Sequence, residues 1–152
     1  MTLKETLSDH IKNAMLQKDA LRLGTLRMIK AKLLEKEVEK RTSPDKVGVT
    51  AEDEMQVLIS SAKMRKESIE EFEKAGRKDL ADKERAELEI IQEYLPKQMS
   101  RGEVEKIVNE LAVSLGAQTQ KDFGKLMGAV MKELRGKVDG KIVQEVVKAK
   151  LG

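Results

Sequence analysis

The chain has 152 residues, of which 39% are hydrophobic and 38% are charged, and its formal net charge is +3. The sequence contains no cysteine, which excludes disulfides, thiolate metal sites and cysteine nucleophiles. Helix-forming residues dominate, whereas the aromatic residues typical of strands make up only 2%. We therefore predict an all-α protein with an aliphatic core.

Hydropathy along the chain gives no sign of a membrane segment. No apolar run approaches the roughly 20 residues that a spanning helix needs. The opening residues Met1 to Glu5 are polar and lack the apolar core of a secretory signal. We expect a cytoplasmic protein without a membrane partner.

Two amphipathic helices are predicted first. Apolar residues recur at helical spacing in both, and a loop over residues 42–49 ends the second helix, which begins near Ala20. The inward residues of these two helices are Leu3, Leu7, Ile11, Ala14 and Met15, and then Leu26, Ile29, Leu33 and Val38.

Local end signals predict two further helices before residue 96. Thr50 and Asp53 have the spacing of a capping box, and Gly76 is a C-terminal stop. The fourth helix covers about 78–94, because Pro96 cannot continue a helix. Residues 1–95 are thus predicted to form an antiparallel, bundle-like domain of four helices.

Residues 96–152 are predicted to form a small tail domain of three short helices. Ser100 and Glu103 make a capping box for the first, which stops at Gly116. The second runs from about Phe123 to Leu134, and Asp139 can cap the third. The length of the tail domain is under 60 residues, which makes it marginally stable alone.

Positive charge is concentrated at the C-terminal end. Residues 1–94 hold 19 Lys and Arg against 20 Asp and Glu, whereas residues 95–152 hold 11 against 7, a balance of +4. Such a field favours an anionic partner such as RNA. The alternative interpretation is a set of solubilising surface lysines.

The residues needed for catalysis are scarce. His10 is the only histidine, and no nucleophile or orienting partner accompanies it in the sequence. The triplet Asp122-Phe123-Gly124 matches one kinase motif, but the other kinase motifs are missing. We predict no catalytic residue, no cofactor, no metal site and no enzyme activity of the isolated chain.

A segment rich in glycine and lysine is the most informative part of the sequence. Gly124 and Gly128 share one helix face, although interior helical glycine costs about 1 kcal/mol relative to alanine. A second helix packing closely there, or an RNA or peptide backbone, would explain them. Gly136 and Gly140 punctuate the basic turn that follows. The candidate RNA-binding cations are Lys121, Lys125, Lys132, Arg135, Lys137 and Lys141. The alternative is a glycine stop and an aspartate cap with solubilising lysines.

The segment from Lys121 to Met131, followed by Gly136 to Gly140, resembles the signature of the YqeY-like proteins. Three further segments match the family: 27–31, 65–72 and 93–99. The resemblance covers essentially the whole chain. It implies a bacterial source, a helical bundle and a small three-helix domain. That same module forms the tail of the B subunit of the tRNA-dependent glutamine amidotransferase, where it contacts tRNA.

The leading hypothesis is a non-catalytic accessory protein that associates with tRNA or another RNA through the tail. One alternative is an adaptor that binds a protein partner. Another is a component with carbon–nitrogen ligase activity, using glutamine as the nitrogen donor, only within a larger complex. In the family, the amidation chemistry belongs to other domains and to the glutaminase subunit.

Overall fold

The computed structural model describes residues 2–44 and 47–152. Within those ranges the chain forms seven α-helices, is 79% helical and contains no β-strand. The prediction of an all-α protein is confirmed. The chain divides into two compact units, Met1–Leu95 and Pro96–Gly152, which we call the N-terminal unit and the tail unit.

The N-terminal unit contains α1 (Leu3–Leu16), α2 (Ala20–Arg41), α3 (Ala51–Lys74) and α4 (Lys78–Gln92). Helix α3 packs along α4, α1 packs on α2, and α2 also touches α3 and α4. The shared core is aliphatic, as the composition predicts, and its fully or nearly fully buried residues include Leu7, Leu26, Ile29, Leu58 and Ile91.

Helix ends in this unit follow local chemistry. The Thr50 hydroxyl accepts the Asp53 N–H, and the Asp53 carboxylate accepts the Thr50 N–H, so the predicted capping box is formed. Gly76 follows α3 with φ +72°, the left-handed conformation that glycine tolerates. The predicted break at 42–49 separates α2 from α3, and Asp45 and Lys46 within it lie outside the described residues.

Three details of the prediction are wrong. Helix α4 ends at Gln92, and the chain continues to Leu95 in a tighter turn ahead of Pro96. Met15 and Val38 were expected to face inward, but they are 53% and 58% exposed. Four residues beyond Leu33 comes Glu37, which points toward α1 and binds Lys4 at 3.1 Å.

A buried ionic cluster joins α3 to α4. Arg65 is only 7% exposed, and its Nε lies 2.8 Å from Glu87 Oε2 and 3.4 Å from Glu84 Oε2. Burial, followed by the negative charge of Glu87, raises the pKa of Glu84. The cluster therefore places two carboxylates around one buried guanidinium.

The tail unit contains α5 (Arg101–Leu115), a single 3-10 turn (Gln120–Asp122), α6 (Phe123–Leu134) and α7 (Gly140–Leu151). Each of the three α-helices packs against the other two. Their common core is built from Val104, Val108, Leu126, Val130, Leu134, Val143 and Val147, all at most 2% exposed. Ser100 and Glu103 form the predicted capping box of α5, and Gly116 ends that helix with φ +66°.

Candidate nucleic-acid interface

A carboxylate holds the turn that leads into α6. Asp122 accepts the backbone N–H groups of Gln118 at 3.0 Å and Thr119 at 3.2 Å, and these bonds lower the pKa of its side chain. The helix that follows buries Leu126 and Val130 against α5 and α7. Because the apolar side of α6 packs in the tail core, its opposite side faces outward.

Two glycines lie on that outward side. Gly124 and Gly128 are exposed, and a Cβ atom added to either would meet nothing within 4 Å. Helix–helix packing was one explanation of this pair. Within the described part of the chain no helix covers them. The glycines leave a flat strip of open backbone about one helical turn long.

Two lysines share this side of the helix, and a third lies just ahead of it. Lys125 and Lys132 are two turns apart in α6, and Lys132 follows Gly128 by one turn. Lys121 belongs to the 3-10 turn that precedes α6. All three are exposed. The span from Lys125 to Lys132 is roughly 10 Å at 1.5 Å per residue. We call this surface, Lys121, Gly124, Lys125, Gly128 and Lys132, the glycine–lysine face.

The other predicted cations occupy the turn between α6 and α7. Arg135 follows α6 directly, and Lys137 is exposed in the turn. Lys141 is the second residue of α7, and its backbone N–H donates to Asp139 Oδ1 at 3.0 Å. The six predicted cations therefore form two groups, one along α6 and one beyond its C-terminal end. They extend along the helix and into the turn.

The remaining two predicted glycines serve the backbone. Gly136 is buried and has φ +81°, a conformation that side chains disfavour. Gly140 is half-buried, and a Cβ there would lie 3.8 Å from Met131 Cε, an ordinary contact. Of the four glycines predicted to allow close approach, Gly124 and Gly128 are the open pair.

Residues that were not predicted from the sequence hold the basic turn in place. The Gln98 side-chain amide donates to the carbonyl oxygens of Gly136 and Pro96, each at 2.8 Å. The Met99 N–H donates to the Lys137 carbonyl at 2.7 Å. The sequence around Gln98 does not indicate this role, because its partner Gly136 lies 38 positions away.

Net charge differs between the units, although ion pairs join helices in both. Lys40 pairs with Asp53 in the N-terminal unit, and Arg101 pairs with Glu145 in the tail unit. In the tail unit, residues 117–152 hold eight Lys and Arg and four Asp and Glu, so they carry the whole +4. Within the described ranges, no carboxylate lies within 4.0 Å of the Lys121 or Lys132 ammonium. The result is an excess of positive charge in the part of the chain that contains α6 and α7.

The residues considered for catalysis or metal binding lie elsewhere. His10 is exposed, and its Nδ1 is hydrogen-bonded to the Tyr94 hydroxyl, with the two ring centroids 5.5 Å apart. Burial raises the pKa of Tyr94. Among residues 2–44 and 47–152, no three His, Cys, Asp or Glu side chains are grouped to hold a metal ion. No described helix combines the length and apolarity needed to cross a bilayer.

Fold and site together define an all-α protein with an N-terminal unit of four helices and a basic helical tail unit. The sequence places it more closely: the chain belongs to the Yqey-like protein family, which it matches over residues 4–151. The resemblance seen in the sequence is confirmed.

Named relatives fall into two groups. The chain is 33% identical to "Altered inheritance of mitochondria protein 41, mitochondrial" of Pyrenophora tritici-repentis, over 95% of this chain and 80% of that protein. It is 33% identical to the protein of that name from Kluyveromyces lactis, over 94% and 72%. It is 30% identical to a subunit of the glutamyl-tRNA(Gln) amidotransferase of Thermococcus sibiricus, over 99% of this chain but only 24% of that relative.

These relatives correct one expectation. The resemblance implied a bacterial source, but proteins named as mitochondrial share most of the chain. The family is therefore not confined to bacteria, and membership alone does not indicate a bacterial protein. The match to a component of an amidotransferase supports the predicted relation to that class of enzyme complex.

Proposed function

We propose that this chain is a non-catalytic accessory protein that binds tRNA or another RNA through the glycine–lysine face of α6. The observation that carries the proposal is the pairing of two open glycines with exposed lysines on one helix side. Glycine inside a helix costs about 1 kcal/mol relative to alanine. No contact within the described chain offsets that cost, whereas the backbone of a bound partner would.

Phosphate contacts account for the proposed mode of binding. Lysine ammonium groups bind phosphate as point charges, and the glycine strip lets a sugar–phosphate backbone approach the helix closely. Phe123 packs against the tail core, so α6 offers no aromatic ring for base stacking. The RNA would be bound by shape and charge, and Arg135, Lys137 and Lys141 would extend the contact beyond α6. The tRNA in the name of a relative supports this class of partner.

Two alternatives remain in view. A partner helix would also fit the glycine strip, which is the adaptor hypothesis, and its binding would depend on shape more than on salt. Membership of a larger complex with carbon–nitrogen ligase activity is the third hypothesis, favoured by the name of the amidotransferase relative. Nuclease treatment before a pull-down separates the first alternative from RNA binding.

We also propose that the two units are separate domains, a four-helix domain of residues 1–95 and a three-helix domain of residues 96–152. Each unit has its own aliphatic core, which supports the proposal. Limited proteolysis tests it, because cleavage should fall near Pro96 and leave two resistant fragments.

We further propose that the protein is located in the cytoplasm. The alternative location is the mitochondrion, which the names of its relatives favour.

The test of RNA binding is a titration of bulk tRNA with the full chain at about 50 and about 200 mM salt. Each phosphate contact contributes roughly −0.9 to the slope of log affinity against log salt. Replacing Lys121, Lys125 and Lys132 by glutamine should weaken binding and make the slope shallower by about two to three. The matched control replaces Lys106, Lys148 and Lys150, which are exposed lysines of the same unit.

The two triple variants lose the same charge, so they separate a site from a general field. Equal weakening by both would mean that any tail lysine serves, and the assignment to α6 would be wrong. Absence of salt-dependent binding at micromolar protein would remove the RNA proposal altogether. Circular dichroism must show unchanged helicity for both variants.

A further inference from the structure

Helix α2 carries exposed apolar side chains besides those that it buries. Its inward side buries Leu26, Ile29 and Leu33 in the N-terminal core. Leu34 and Val38 lie outside that inward side and are 42% and 58% exposed. Met28 is 43% exposed at the edge toward α3, where its Sδ lies 2.7 Å from Arg65 Nη2. Exposed apolar residues grouped on one side of a helix indicate an interaction surface.

Small residues lie between the large ones on this outward side. Gly24 and Ala31 are exposed, and a Cβ on Gly24 would meet nothing within 4 Å. We call Gly24, Met28, Ala31, Leu34 and Val38 the outer face of α2. Its length from Gly24 to Val38 is roughly 21 Å. Alternation of large and small side chains allows a second helix to approach closely.

We propose that the outer face of α2 is a homodimer interface in which two copies of α2 pack antiparallel about a two-fold axis at Ala31. Residues equidistant from Ala31 then meet across the axis. Gly24 and Val38 are each seven positions away, so a small residue faces a large one in both halves. Met28 and Leu34 are each three positions away and pack together. The face is complementary to itself, as a two-fold interface requires.

Charge selects the same arrangement. Arg27 and Glu35 are each four positions from Ala31, so the antiparallel pair brings Arg27 of one copy to Glu35 of the other, twice. The Glu35 side chain is 70% exposed, and its contact within the chain is a loose one to Lys32 at 3.5 Å. Parallel packing in register would instead place like charges together. The N-terminal unit carries a balance of only −1, so overall repulsion is small.

The expected dimer is weak. One helix packed on another gives an interface below the ~1,200 Å² of standard complexes. Sedimentation of the full chain should therefore show a monomer–dimer equilibrium between about 5 and about 500 µM protein. Ala31→Glu places two carboxylates together at the axis and should leave a monomer. Ala31 is exposed, so helicity and thermal stability measured at low concentration should not change.

A charge exchange tests the antiparallel register. Arg27→Glu and Glu35→Arg should each weaken dimerisation at least tenfold, because each places like charges opposite one another twice. The double variant should restore the wild-type dissociation constant, since the exchanged charges again meet as opposites. Lys78→Glu, at an exposed position of α4, is the matched control for charge and should have no effect.

Three results would overturn the proposal. The wild-type chain could be monomeric over the whole concentration range. Ala31→Glu could dimerise as well as the wild type, which would place any dimer on another surface. The single charge variants could weaken the dimer without rescue by the double variant, which would exclude this register. None of these results bears on RNA binding by the tail unit, so the two proposals stand or fall separately.

Discussion

Replacing Gly128 by alanine should make the protein more stable and, at the same time, worse at binding RNA. Gly128 lies inside α6, and an added Cβ meets nothing within 4 Å. The substitution therefore adds helix propensity without a clash, an expected gain of about 1 kcal/mol in the free energy of unfolding. In a unit as small as residues 96–152 this corresponds to a rise in Tm of roughly 4–8 °C.

The same methyl group should interfere with binding. It stands on the open strip where the proposed RNA backbone approaches, between Lys125 and Lys132. We expect an affinity for bulk tRNA about tenfold weaker, or ~1.4 kcal/mol. Thermal unfolding followed by circular dichroism gives the first quantity, and fluorescence anisotropy of labelled tRNA gives the second.

Gly102→Ala is the matched control. Gly102 is an exposed helical glycine of the same unit, in α5, and the nearest atom to an added Cβ is Ser100 Oγ at 4.0 Å. This variant should gain stability without losing affinity. A Gly128→Ala protein that is more stable and binds RNA as well as the wild type would refute close approach at α6. A Gly128→Ala protein that is less stable than the wild type would contradict the open space found around an added Cβ.

The structure predicts three further effects. Arg65→Met should lower the free energy of unfolding by about 3–5 kcal/mol in urea titrations, because Glu87 stays buried without its partner, and adding Glu87→Leu should recover most of that loss. Ser100→Ala removes the cap of α5 and should cost about 1 kcal/mol, measured by circular dichroism of the full chain. The lowered pKa of Asp122 means that its contribution to stability is present above the unfolded value of 3.8 and is lost as pH falls through the folded value. Asp122→Asn should therefore lower the Tm at pH 7 and lose its effect near pH 2, and an equal effect at both would contradict this assignment.

Local signals explain why the helices could be predicted from the sequence. Thr50 with Asp53 and Ser100 with Glu103 act within three residues, and both capping boxes form as expected. Gly76 and Gly116 end their helices by a backbone preference that needs no tertiary contact. The error at Val38 arose because spacing alone does not say which side of an apolar helix meets the core. There Glu37 points toward α1, where it binds Lys4.

The site was only partly accessible to the same reasoning. Glycine spacing in α6 showed that Gly124 and Gly128 share a face, but not whether the protein covers it. That depends on where α5 and α7 pack, and both lie on the other side. Gly136 was grouped with the open pair because its role, a positive φ in the turn, depends on the path of the chain. The outer face of α2 was missed because its residues, such as Leu34, look like ordinary core positions until the core is known.

The contact between Tyr94 and His10 has a consequence for spectroscopy. Tyr94 is the only tyrosine of the chain, there is no tryptophan, and both partners of the contact belong to the N-terminal unit. Tyrosine emission therefore reports on that unit alone. The far-ultraviolet helix signal, in contrast, comes from both units. Melting curves recorded by the two signals will coincide only if the two units unfold together. A difference between the two Tm values therefore shows that the units unfold independently, and no label is needed to measure it.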